Sequence, residues 1–260
     1  MSDKNFASVL FLSSLDGADG ATAATDSSNS ARAITFVGNA QLDTAQAKWG
    51  TSSLLLDASG DYISVPDSND WNFTGQFTVE CWARLASLTA GGTSHTLAGH
   101  YQVSGNLRSW WMRIVDGGGE IQAVCSTDGT NIQTARFESA ASTINTWSHY
   151  AMTRDASNVI RIFRDGVVGN VTATLAGTLF NSSVPVTFGA AFNGGATAFH
   201  NGWIDEIRIT NGLARYTANF TPPRGPFSSY KALGVSGESS QPIVHLAGPP
   251  VSSMFMGGMT

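Results

Sequence analysis

The stretch "QFTVECWARL" (76–85) decides the fold. Phe77, Val79, Cys81 and Ala83 take one side of its alternation, and Thr78, Glu80, Trp82 and Arg84 take the other. A period of two marks a strand with a face in a core, because successive side chains point to opposite faces of a sheet. The alternation returns late in the chain, in "GWIDEIRITNGLARYTANFTPP" (202–223). There Ile204, Glu206, Arg208 and Thr210 alternate with Trp203, Asp205, Ile207 and Ile209 before Pro-Pro ends the run. A strand this late is expected to close the domain beside the first strand and bring the fold's two ends together.

Between these stretches the chain repeats short apolar runs punctuated by turn residues. "ASVLFLSSL" (7–15) is followed by a polar loop, then by "AITFVGNAQL" and "SSLLLDASGDYISVP". Asp116-Gly117-Gly118-Gly119, Asp128-Gly129 and Asp165-Gly166 are hairpin signals. About a dozen strands result, with no convincing amphipathic helix. Composition agrees: charged residues are only 13%, with five Glu and three Lys among 260 residues, so good helix formers are scarce. One all-β domain of two sheets, or a barrel, is the fold class these signals predict.

The net charge of −5 is mild and no basic run exists, which argues against nucleic acid as a partner. No stretch approaches the length of a membrane span, so membrane insertion is not expected. The start "MSDKNFASVL" lacks a charged region leading into a long apolar core, so folding in a cytoplasm is expected. Cys81 and Cys125 both fall inside apparent strands and read as buried free thiols of a reducing compartment.

Taken together, "FLSSLDG", "VGNAQLDTAQAKWGTSSLLLDASGDYISVPDSNDWNFTGQFTVECWARL", "WSHYAMTRDASNVIRIFRDGVVG" and "GWIDEIRITNGLARYTANFTPP" resemble the concanavalin A-like lectin/glucanase superfamily. They are similar in particular to the laminin-G-like jelly rolls of bacterial surface proteins and phage virion proteins. The resemblance runs over about 8–224 in the right order. It implies a two-sheet antiparallel jelly-roll β-sandwich, with the domain taken as 1–230; 231–260 lies outside the resemblance and reads as an irregular C-terminal arm. The fold hosts lectins, glycosidases and structural modules alike, so function has to come from sites.

Glycoside hydrolysis needs two carboxylates flanking one bond. Glucanases of this fold carry their acids at i, i+2 and i+4 of one strand, and no E-x-D-x-E occurs here. Asp205 and Glu206 are adjacent and are expected on opposite faces. Glu80 and Arg84 share a face and read as a structural ion pair, and His149 reads as a structural histidine. His95 and His100, five apart, are expected on opposite sides of a strand. A non-enzymatic protein is therefore favoured.

Glycan binding calls for aromatic rings beside hydrogen-bonding side chains. In "RSWWMRI" the adjacent Trp110 and Trp111 must face opposite ways, one into the core and one onto the second face. With Arg108 and Tyr101 nearby, the outward indole suits a sugar ring or a subunit interface equally. The family resemblance also implies a structural Ca²⁺ near the chain ends, held by Asp205 with Asp16 and Asp26. The alternative for Asp16 and Asp26 is a turn role, in which their carboxylates serve local backbone N–H groups.

The last thirty residues have no periodicity and are broken by Gly, Pro and Ser. Yet they carry Ile243, Val244, Leu246, Met254, Phe255 and Met256, more apolar content than a disordered linker has. Such an arm is expected to lie across a neighbouring subunit. These features lead to a structural protein of a phage virion, in capsid decoration, tail or fibre. It would partner itself as a homo-oligomer, or other virion proteins, and contact glycans. A stand-alone lectin or surface adhesin is the alternative, and a glycoside hydrolase a distant third.

Overall fold

The computed structural model describes residues 3–88, 94–138 and 142–229. The expected arm, with Ile243, Val244, Leu246, Met254, Phe255 and Met256, lies outside the described residues. Among the described residues the regular structure is strand, with two single turns of 3-10 helix and no α-helix. In chain order the strands are β1 (Val9–Ser13), β2 (Thr35–Val37), β3 (Gln41–Asp43), β4 (Ser53–Asp57), β5 (Tyr62–Val65) and β6 (Phe77–Leu85). Then follow β7 (Ser94–Gln102), β8 (Leu107–Val115), β9 (Ile121–Gly129), β10 (Gln133–Phe137), β11 (Trp147–Arg154) and β12 (Val159–Arg164). The last are β13 (Val167–Val168), β14 (Ala173–Thr174), β15 (Val186–Phe188), β16 (Ala191–Phe192), β17 (Ala196–Thr197) and β18 (Asn201–Asn211).

They form two sheets. The first runs β13-β12-β11-β6-β18-β4-β3, with β1 also on β18 and β14 on β12. The second runs β10-β9-β8-β7-β15-β5-β2, with the β16–β17 hairpin joined to β7. This is the expected two-sheet jelly-roll sandwich, and the last strand does pair antiparallel with the first. The inward side of β6 is the one its alternation predicts, with Phe77, Val79, Cys81 and Ala83 all in the core. Aromatic contacts join the layers: Phe11 of β1 stacks on Phe188 of β15 at 5.3 Å, and Phe73 lies between Phe77 and Trp110.

Two bulges change the phase of the alternation. On β18, Asp205 pairs with Trp82 and Arg208 with Glu80, so one residue too many lies between them. Glu206 absorbs the excess with a left-handed φ of 51°. Ile204, Ile207 and Ile209 therefore all reach the core, where strict alternation had set Ile204 against the other two. On β7 a register shift between Thr96 and Ala98 brings His95 opposite Ile114 and His100 opposite Trp110. Both partners belong to the core, so the two histidines share the inner side rather than facing opposite ways.

The segment after β18 straps over the outer face of the first sheet. Thr78 Oγ1 donates to the Leu213 carbonyl and accepts from Arg215 N–H, while Thr153 Oγ1 donates to the Tyr216 carbonyl. Tyr216 and Phe220 stack at 3.5 Å above His149 and Phe163. Beneath them Glu80, wholly buried, meets His149 Nε2 at 3.1 Å, the Tyr216 hydroxyl at 2.9 Å and Arg208 Nη2 at 2.8 Å. Against the opposing pull of burial, Arg208, the His149 hydrogen bond and Arg215 hold the Glu80 carboxyl down to about 2. The expected Glu80–Arg84 pair does not form, because Arg84 instead lies over the Trp203 ring.

Candidate functional site

The four residues singled out for binding divide as parity requires. Trp110 is fully buried in the core beside Phe73. Trp111 points to the outer face of the second sheet, with Tyr101 at 4.7 Å. Outward does not mean exposed, however, and here the expectation is corrected: Trp111 is only 6% exposed. The β16–β17 hairpin folds over it, so Tyr101, Trp111, Val124, Ala191 and Ala198 make a small second core. The Trp111 Nε1–H donates to Thr96 Oγ1 at 3.0 Å. Arg108 spends its Nη1 on Asn106 Oδ1 and on the Gly129 and Thr130 carbonyls, clamping the turn after β9.

Beside Trp111 on this face runs a polar row that the sequence did not single out, half-exposed at Arg113 and Glu120, exposed at Arg136 and buried at Ser94 and Gln122. The Arg113 guanidinium lies 4.2 Å from the Trp111 ring centroid. Its Nε and Nη2 donate to Gln122 Oε1 at 2.8 and 2.6 Å, and Nη1 donates to Ser94 Oγ at 3.3 Å. Gln122 Nε2 donates onward to Glu120 Oε1, and Arg136 approaches Glu120 at 3.9 Å. The row crosses β7, β8, β9 and β10, a planar cation fixed over an indole with amide and carboxylate groups beside it. Burial lowers the Arg113 pKa, but a guanidinium stays charged in proteins. Parity could have found Arg113, two residues beyond Trp111. Gln122 needs the β8–β9 register, in which it pairs with Arg113.

The three expected calcium ligands do not stand as one site. Asp26 is consumed by the N–H groups of Leu12, Ser28 and Arg32 and by Ser28 Oγ, the turn role weighed as its alternative. Asp16 accepts from Thr51 N–H and Oγ1. Asp205 accepts from the N–H groups of Lys48, Trp49 and Glu206. Burial, the largest cause, pushes the Asp205 carboxyl up to about 7 in spite of these donors. Among the described residues no three His, Cys, Asp or Glu are grouped closely enough to hold an ion.

The family model for the Concanavalin A-like lectin/glucanases superfamily matches residues 57–215, more than half of the chain. No curated protein matches it in sequence. Solved structures do match in fold. One is the botulinum neurotoxin serotype D ligand-binding domain in complex with N-acetylneuraminic acid, at TM-score 0.59 and 17% identity, over 80% of this chain and 49% of that one. Another is the binding domain of Paraclostridial Mosquitocidal Protein 1, at TM-score 0.60 and 15% identity, over 80% and 50%. A third is domain 4 of AbnA, a GH43 extracellular arabinanase from Geobacillus stearothermophilus, in complex with arabinotriose, at TM-score 0.57 and 19% identity, over 78% and 92%. The chain spans about half the length of the two toxin structures it matches. At such identities the likeness establishes fold alone. With the family match and the two-sheet sandwich, the chain belongs to the concanavalin A-like lectin/glucanase superfamily.

Proposed function

We propose that the protein is a non-enzymatic, glycan-binding component of a phage virion, in capsid decoration or in the tail or a fibre. The observation that carries the glycan reading is the Arg113 guanidinium held over Trp111 within the row Ser94–Arg113–Gln122–Glu120. Fixed planar donors beside acceptors match the hydroxyl pattern of a sugar. Two fold neighbours carry a sugar, N-acetylneuraminic acid in one and arabinotriose in the other, which supports the same class of ligand here. A role without catalysis is supported by the engagement of the acids: Glu80 binds three partners and Asp205 accepts three N–H groups. The virion role is supported by the resemblance to virion jelly rolls and by the apolar content of 231–260.

Calorimetric titration of the full chain with sialyl and arabino-oligosaccharides tests the glycan reading. Arg113→Ala and Gln122→Ala are expected to weaken binding at least tenfold. Binding unchanged in both variants overturns this site. For assembly, the solution mass of the full chain is compared with that of a version ending at Tyr230. A defined oligomer that becomes a folded monomer on truncation supports the reading. Two monomers overturn self-assembly through the arm.

A further inference from the structure

The outer face of the first sheet is only partly strapped. Beyond the strap, five half-exposed side chains stand level across five strands: Trp147 on β11, Arg84 on β6, Trp203 on β18, Leu55 on β4 and Gln41 on β3. Each is in register with the next. All point outward, because Ala83, Ile204, Leu54 and Leu42 beside them occupy the core. The Arg84 guanidinium lies 4.9 Å from the Trp203 ring centroid, and Trp203 Nε1–H donates to Asp43 Oδ2 at 2.7 Å. Both groups are thus fixed. Among the described residues Arg84 has no carboxylate or carbonyl partner.

Trp147 and Trp203 flank Arg84 at two strand spacings, about 10 Å. Over that length an extended polysaccharide advances by two rings. Indole faces attract the C–H faces of pyranose rings, and a guanidinium between them offers donors to hydroxyls and ring oxygens. Gln41 and Asp43 add an amide and an acceptor at the far end of the row. The row is one residue wide and bordered by polar groups, well short of the roughly 800 Å² per partner of a stable protein interface. Arg84 and Lys48 stand against Asp43, so the face carries no strong charge and favours a neutral chain.

We propose that this row is a second sugar site, binding an extended neutral polysaccharide on Trp147 and Trp203 with Arg84 donating between them. The inference rests on the reading of the protein as a glycan binder, but it uses the opposite sheet from the Arg113 row.

The test titrates the full chain with cellohexaose, xylohexaose and mannohexaose, and with the matching monosaccharides, following tryptophan fluorescence and heat. At least one hexasaccharide is expected to bind and the monosaccharides far more weakly. Trp147→Ala and Trp203→Ala should each weaken hexasaccharide binding at least tenfold, while a change outside both rows, Ile132→Ala at an exposed position of the β9–β10 turn, leaves it within twofold. Melting curves check that the variants fold, and Arg84→Gln gives a milder change expected to weaken binding several-fold. Hexasaccharide binding that ignores all three substitutions overturns this site and leaves the glycan reading standing. No binding of any saccharide in either titration overturns both. A loss of oligomer mass in Trp203→Ala, without a change in sugar binding, assigns the row to a subunit contact and overturns it as a sugar site.

Discussion

Asp205 and Glu206, consecutive on the closing strand, are both buried, and Asp205 Oδ1 accepts from the Glu206 N–H at 2.8 Å. The bulge makes this possible by taking Glu206 out of the alternation. Glu206 Oε2 accepts from the Phe227 N–H, while its Oε1 has no hydrogen-bond partner among the described residues. Burial first, and then the charges of Asp205 and Asp16, push the Glu206 carboxyl up to about 7. An acid whose folded pKa is raised stabilises the fold below its unfolded pKa and loses that stabilisation as pH climbs through the folded value. Glu206→Gln keeps an acceptor for Phe227 and removes the charge. It should match wild type near pH 4.5, gain on it as pH rises towards 7, and end about 3 kcal/mol more stable above that. Urea melts at pH 5 and pH 8 check this, and a pH-independent difference refutes it.

Arg208 supplies the main charge opposite Glu80 and also lies 4.0 Å above the Phe227 ring. Arg208→Met leaves a buried carboxylate with its histidine and tyrosine contacts and the more distant Arg215 guanidinium, at 3.8 Å. The expected loss is about 3–5 kcal/mol, the range for breaking a buried pair from one side. The double variant with Glu80→Gln should recover part of the loss, because the stranded charge is then gone. Chemical denaturation of the three variants measures the coupling.

Gly202, the second residue of β18, has a φ of 138°, and a Cβ there would stand 2.1 Å from the Arg84 carbonyl oxygen. That oxygen belongs to the neighbouring strand and has little room to yield. Gly202→Ala should therefore cost about 1–3 kcal/mol, as overpacking does. It should also disturb Trp203, the next residue, so its fluorescence should shift in the folded variant. An unchanged melting temperature would contradict this.

Cys81 and Cys125 are fully buried free thiols. Burial pushes Cys125 up to about 12 and Cys81 up further, with Glu80 and Asp205 adding to the rise at Cys81. A thiol reagent at pH 8 should label neither in the native protein and both in guanidinium, because only the thiolate reacts. Labelling of the native chain would show that the sandwich opens locally.

The strand content, the inward side of β6 and the pairing of β18 with β1 were legible, because each rests on period-two alternation over several residues. The bulges at Thr96 and Glu206 were not. A left-handed φ at a glutamate carries no glycine or asparagine signal, and past it every inference about faces is inverted. Parity correctly sent Trp111 outward. Its cover by Ala191 and Ala198 depends on a hairpin some eighty residues later in the sequence, beyond any local pattern. The Trp147–Arg84–Trp203 row was hidden for the same reason, since each member looks like an ordinary strand residue until register brings three strands level.

The strap has a mechanical meaning. Asp3 and Ser228 border one cavity of about 460 Å³, with Arg208 and Arg215 both holding Asp3. A pull applied at these two points is not shared across the sandwich. It is expected first to break the Asp3 bridges and lift Phe227 from Phe6, Val9 and Leu12, then to peel Phe220 and Tyr216 from their sheet. Only afterwards should load reach β1 and β18, with Val9–Thr210 opening before Phe11–Ile209. The domain thus carries a yielding element in series with a stiff one, so that tension should fall on the strap while the strands that carry the Arg113 and Arg84 rows keep their register.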